Sequence, residues 1–378
     1  MRNRTNIFAA FLLLFLANAT NLTVEISAFA QDNSAAKGDQ SDAIKDDDAA
    51  EAVASESGEM PTTADEITSE AEPVYEIAPD GRRILPSPTS GLGLPLIDTS
   101  IDATKRAYGA YQRGFYLTAM DLALSRAQLG DPAAQTLVGE LFSEGLGVSR
   151  NLKEAAFWYG QAAQGGDSSA QFKYAIMLLE GKYVERDAVK AREMMGKAAD
   201  AGNAFAQFNH AQALLAEHPG ALGIKRALPY FEKAAAKGVA DAQYALAQIY
   251  MNSLGIDAEK RAQAREWMRS AARNNYDTAQ LDLAIWLIDG KGGDKDYEEG
   301  FRWMEIAANR GNVVAQNRLG ILYVNAIGTR PDPIEAAKWH ILSKRAGYND
   351  PELDDFYQGL TEEEQKQALD RANKFSRR

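Results

Sequence analysis

Small, apolar and polar residues recur through the middle of the chain at helical spacing, and the whole pattern then repeats. Ala-Gln pairs fall at Ala134-Gln135, Ala170-Gln171, Ala206-Gln207, Ala242-Gln243, Ala279-Gln280 and Ala315-Gln316, separated by 36, 36, 36, 37 and 36 residues. Four residues after each Gln the side chain is small: Gly139, Ala175, Ala211, Ala247, Ala284 and Gly320. Seven after it is bulky and apolar: Phe142, Leu178, Leu214, Tyr250, Leu287 and Tyr323. A fixed period of this length predicts stacked two-helix units. Each has a first helix starting near the Ala-Gln, a turn, and a second helix with a large anchor at Trp158, Met194, Tyr230, Trp267, Trp303 or Trp339. The small position lets helices approach closely, and the large one fills the space between units.

Helix ends are marked as clearly. Asp131, Asp167, Asn203 and Asn312 precede the first helices and Asn151, Asp187, Asp296 and Asp332 the second ones, all able to accept from free backbone N–H groups. Val239 and Tyr276, and on second helices Gly223 and Lys260, replace the cap in the remaining units. Gly166, Gly202, Gly238, Asn275, Gly311 and Gly347 supply the left-handed residue that ends a helix. The 37-residue spacing places one additional residue in the turn around Asn252 to Glu259.

This frame resembles the Sel1-like repeat family, a branch of the tetratricopeptide-like solenoids. Gly139, Phe142, Gly145-Leu146-Gly147-Val148, Ala155, Trp158-Tyr159 and Ala162-Ala163 show it best. The resemblance implies an all-α fold, a right-handed α/α solenoid of Sel1-like helix pairs. Residues 101–130 read as a degenerate opening unit with Leu122 at the anchor position, 131–348 as six repeats, and 349–378 as capping helices. In the last segment Leu353, Phe356 and Leu360 are expected over the exposed end, and Thr361 with Glu364 forms a capping box.

Upstream the composition changes. Arg2, Arg4, the apolar run Ile7 to Ala17 and Ala28-Phe29-Ala30 read as a signal peptide over residues 1–30, cleaved after Ala30. The run is short for a bilayer span of about 20 residues. Periplasmic export with no stable membrane insertion is therefore expected. Residues 31–79 hold fourteen acidic residues against Lys37 and Lys45 and read as disordered, with Pro79 to Pro95 an extended linker, so that 31–100 forms one unfolded segment. The formal net charge of the whole chain is -12, and that segment accounts for nearly all of it. Without a basic surface, nucleic-acid binding has no electrostatic basis.

Catalytic and metal chemistry find little support. The chain has no Cys, and its three His (His210, His218, His340) lack metal-ligand spacing, so each reads as structural and no cofactor is expected. Ser34-Ala35-Ala36-Lys37 imitates a penicillin-binding motif but lies in the acidic segment. The turn from Asp289 to Glu299 offers carboxylates to calcium, but it contains Lys291 and Lys295 and lacks EF-hand spacing.

What remains is a recognition surface. Positions two, five and nine after each Gln share a helix face and vary from unit to unit. They comprise Leu137, Glu140, Glu144, Lys173, Ile176, Glu180, Asn209, Gln212, Ala216, Ala245, Gln248, Asn252, Asp282, Ile285, Asp289, Arg318, Ile321 and Asn325. First helices line the concave surface of such solenoids, so this stripe is the expected groove for a protein or peptide. The resemblance implies an envelope partner, because similar exported proteins include regulators that bind sensor kinases. A hydrolase acting on cell-wall or β-lactam substrates, and a secreted host-directed adaptor, are the alternatives.

Overall fold

The computed structural model describes residues 76–77, 83–84 and 103–375. The signal peptide and most of the acidic segment lie outside these residues. At the end of the acidic segment β1 (Glu76–Ile77) pairs antiparallel with β2 (Arg83–Ile84) of the expected linker, Glu76 opposite Ile84 and Ile77 opposite Arg83.

All else described is helical. The opening unit is α1 (Ala103–Gln112) and α2 (Tyr116–Gln128). Units one to three follow as α3 (Pro132–Glu144) with α4 (Leu152–Gln164), α5 (Ser168–Glu180) with α6 (Ala188–Asp200), and α7 (Ala204–Glu217) with α8 (Ala221–Ala236). Unit four is α9 (Ala240–Asn252) with a second helix in two pieces, α10 (Ala258–Ala262) and α11 (Ala264–Arg273). Units five and six are α12 (Asp277–Asp289) with α13 (Tyr297–Asn309), and α14 (Val313–Val324) with α15 (Pro333–Arg345). The chain closes through α16 (Pro351–Gln358) and α17 (Glu362–Asn373). From α1 to α15 successive helices pack on one another, with α9 on α11 past the short α10, and α17 packs back on α15, the arrangement of an α/α solenoid with a closing helix.

The caps act as the sequence predicts, with corrections in units three and four. Asp131, Asp167, Asn203 and Asn312 each accept from backbone N–H groups of their helix, while Val239 and Tyr276 supply no such bond. Second helices expected to start at Gly223 and Lys260 instead start three residues earlier, behind Gly220 and Asp257. The Asp257 carboxylate accepts from Lys260 N at 2.8 Å. The additional residue of unit four therefore does not lengthen its turn. The helical stretch is extended and breaks at Gln263. Gly166, Gly202, Gly238, Gly311 and Gly347 all have φ between 86° and 92°, and Asn275 takes the same role at 61°.

The repeated Gln is more than a marker of register. Gln135, Gln171, Gln207, Gln243, Gln280 and Gln316 are buried, and each side-chain amide donates to the carbonyl eight residues earlier, at 3.0–3.2 Å. That carbonyl lies in the last turn of the preceding second helix, where main-chain acceptors lack helical partners. Every unit is thus tied to its predecessor by the same bond. Gln365 repeats it on Tyr357 in the closing segment, at 3.0 Å. The Ala199 carbonyl also accepts from Gly202 N at 3.0 Å, so Gln207→Leu removes one of its two donors and is expected to cost about 1 kcal/mol, read as a lower urea midpoint at unchanged m-value.

Anchor burial divides the units. Trp158 and Trp339 are 3% and 2% exposed, but Tyr230, Trp267 and Trp303 are only half-buried. The residue after the anchor is the constant core position: Tyr159, Met195, Phe231, Met268, Met304 and His340 are all buried. At the C-terminal end Leu353 is buried against Gly320, Trp339 meets Phe375 edge-on at 5.3 Å, and the Thr361–Glu364 capping box forms.

Candidate interaction surface

The stripe residues sit on α3, α5, α7, α9, α12 and α14, and the structure brings neighbouring units into direct contact along it. At two junctions, between units one and two and between units four and five, the fifth position of one unit meets the second position of the next. Glu140 pairs with Lys173 and also accepts from Tyr159 Oη at 2.7 Å. Gln248 Nε2 donates to Asp282 Oδ2 at 3.0 Å, and Tyr244 Oη donates to the same oxygen at 2.9 Å. Further along, Lys291 Nζ donates to Asn252 Oδ1 at 3.1 Å.

Exposure varies along the face. Glu140, Lys173, Ile176, Asn209, Gln212, Gln248, Asp282, Ile285 and Ile321 are half-buried, and Glu144, Glu180, Ala216, Asn252, Asp289, Arg318 and Asn325 are exposed. Leu137 and Ala245 are buried and leave the expected surface: each is only 1% exposed. The two contact points differ electrostatically. At Glu140 the facing Lys173 ammonium neutralises the carboxylate, and partial burial draws the lysine below its ordinary pKa. At Asp282 the donors are neutral, and burial holds the carboxyl above the usual range despite Lys291 and Arg318 nearby.

The turn from Asp289 to Glu299 is held by a cation from the chain itself. Arg265, on α11, donates to the carbonyls of Lys291 (2.8 Å), Gly293 (2.9 Å) and Asp294 (2.7 Å), with Trp286 O at 3.3 Å. Asp296 is engaged as the cap of α13. A cleft of about 460 Å3 lies at the α5–α6 turn, lined by Tyr174, Leu178, Val184, Arg186 and Lys190, off the stripe.

The His are held in the fold. His210 packs edge-on against Tyr230 at 4.8 Å, and His218 Nε2 contacts Arg226. His340 is 2% exposed, with Nε2 3.0 Å from Asp354 Oδ1. Burial outweighs the attraction of Asp354 and holds the imidazole below its ordinary pKa, as it does for His210. The folded chain then resists a proton that the unfolded chain accepts. This contribution to stability is complete above the unfolded value of about 6.5 and is lost as pH falls through the folded one. The melting temperature is expected to drop between about pH 7 and pH 5. His340→Gln should flatten that drop, and an unchanged slope would exclude His340 as its source.

Comparison with known proteins fits this geometry. Matches to the Sel1 repeat model cover residues 132–167, 168–203, 205–239, 240–276, 278–312 and 313–348. The chain belongs to the Sel1 repeat family. Its solenoid resembles a Sel1 repeat protein from Oxalobacter formigenes, 25% identical with a TM-score of 0.53, over 66% of this chain and 100% of that one. A protective antigen of uropathogenic Escherichia coli strains, displaying an SLR fold, is 26% identical over 72% of this chain and 68% of its own, with a TM-score of 0.47. Chitin synthase regulatory factor 3 of Schizosaccharomyces pombe is 34% identical over 97 residues, which is 25% of this chain and 10% of that protein. Sel1 repeat solenoids are typically protein–protein interaction scaffolds without catalytic activity. Among the described residues no helix is long and apolar enough to cross a membrane.

Proposed function

We propose that this Sel1 repeat protein is an exported, non-enzymatic scaffold that holds an envelope protein along its first-helix stripe. One observation carries the reading. The Glu140–Lys173 and Gln248–Asp282 contacts join variable positions of units one and two and of units four and five on one face, while the positions four after each Gln are buried between helices. Export rests on Arg2, Arg4, the run Ile7 to Ala17 and Ala28-Phe29-Ala30.

Co-purification from an envelope extract tests this. Ile285→Arg/Ile321→Arg places two charges on half-buried stripe positions. Ile306→Arg/Val189→Arg does the same on exposed positions of second helices. The first variant is expected to lose a partner that the second retains, at matched melting temperatures. Equal retention by both would place recognition elsewhere.

A further inference from the structure

The segment that closes the solenoid is joined to it unevenly. α17 packs along α15, but α16 touches the repeats sparsely, and Leu353 is its one buried side chain. Leu353 lies over Gly320 of α14, and Asn317 of the same helix donates to Asp350, the cap of α16, at 2.8 Å. The other tie runs through His340. That imidazole sits on α15, 2% exposed, with Nε2 3.0 Å from Asp354 Oδ1 of α16. The Tyr357 ring of α16 is tilted against it, the two centroids 5.8 Å apart.

The second ring nitrogen is what makes this joint sensitive to a proton. His340 Nδ1 is buried and meets no hydrogen-bond partner among the described residues. Neutral imidazole leaves only a lone pair unmatched there, while Nε2–H donates to Asp354. Imidazolium places a charged N–H donor at Nδ1, and a buried donor on a cation is costlier to leave unmatched. The surrounding charges do not remove that cost. From α16 the ring faces Asp354, Asp350 and Tyr357, and from its own helix Lys344, whose ammonium shares the Asp354 carboxylate. α14 approaches at the uncharged Gly320, and α17 turns Arg371 to Glu335 and Lys374 to Asp370. Once His340 is protonated, one carboxylate is divided between two cations.

We propose that α16 is a proton-released latch: protonation of His340 detaches it from α14 and α15 while the repeats stay folded. Release lets Nδ1–H reach water and leaves Asp354 to Lys344. The break stays local because Leu353 is the sole buried anchor of α16, whereas α17 keeps Phe375 against Trp339 and Arg371 on Glu335. Detachment uncovers Asn317 and Gly320, beside the last stripe residues Arg318 and Ile321 on α14. The latch belongs to the closing segment and operates with or without a partner on the stripe. Its direction follows from burial, which outweighs the pull of Asp354 and disfavours the proton in the closed form. A released His takes its proton near pH 6.5, so opening is suppressed at pH 7.5 and grows as pH falls below about 6.5.

Hydrogen–deuterium exchange of the mature chain, corrected at each pH for the intrinsic exchange rate, tests the latch. Between pH 7.5 and 5.5 the opening constant of α16 is expected to rise severalfold, about tenfold being the most one proton supplies over that interval. Peptides from α14, α15 and α17 should keep their protection. His210 lies on α7, so its own titration reads out in a separate peptide. His340→Gln keeps an N–H for Asp354 but takes no proton, and should bring the ratio between the two pH values to one. Lys344→Gln, at an exposed position, should raise α16 exchange at both pH values and narrow the ratio, because Asp354 then serves His340 alone. A ratio of one in the wild-type chain, a ratio that survives in His340→Gln, or an equal loss of protection from α12 to α15 would overturn the latch. Should His340→Gln not fold, an unnarrowed ratio in Lys344→Gln decides against it, and a narrowed one supports it.

Discussion

Trp339→Ala is expected to cost about 3–5 kcal/mol, whereas Trp303→Ala costs clearly less. The difference follows from burial. Trp339 is 2% exposed, is crossed edge-on by Phe375 and has the Lys338 ammonium 4.1 Å from its ring centroid. Its loss opens a cavity between α15 and the closing α17. Trp303 is half-buried and donates through Nε1 to Glu299 at 3.2 Å. Truncation there removes one bond and partial packing, and water fills the remainder. Urea unfolding of both variants gives the comparison. Equal losses would mean that the closing segment does not seal the last unit.

Gly328→Ala is expected to cost about 3 kcal/mol or more, from two independent causes. Gly328 has φ of +68°, a conformation costing an ordinary residue about 1 kcal/mol or more. An added Cβ would also overlap the Tyr297 carbonyl oxygen and lie 2.9 Å from Phe301 Cβ. Overpacking of that kind costs about 1–3 kcal/mol. Gly147 has the same φ sign and sits 2.9 Å, by the same construction, from Tyr116 Cβ at the start of α2. The second Gly of the turn is thus where one unit rests on the start of the preceding second helix. A melting temperature within a degree or two of wild type would remove that explanation of the turn's Gly-x-Gly pattern.

Much of the fold was legible because repeat geometry writes itself into spacing. The Ala-Gln period, the Asp and Asn caps and the Gly ends each answer to one local backbone requirement, and six copies made them visible. Tertiary features were harder to read. The core position after the anchor is filled by Tyr, Met, Phe and His, a chemically mixed set that shows no signature beside the neighbouring Trp. The helix starts at Gly220 and Asp257 were missed because counting back from the anchor assumes a constant helix length. Arg265 reaches carbonyls 26 to 29 residues away, a pairing that no local pattern announces. On the stripe, period alone marked which positions share a face. Leu137 and Ala245 left it because neighbouring units close over them, and their apolar character was the available signal.

The account is tested most directly by site-specific photo-crosslinking in cells. A benzoylphenylalanine at Ile285 or Ile321 reports on the stripe, and one at Ile306 or Val189 on the second helices. The account predicts that one discrete partner is captured from the stripe positions and is absent at the other two. The same product from Ile306 or Val189, with nothing from Ile285 and Ile321, would contradict it.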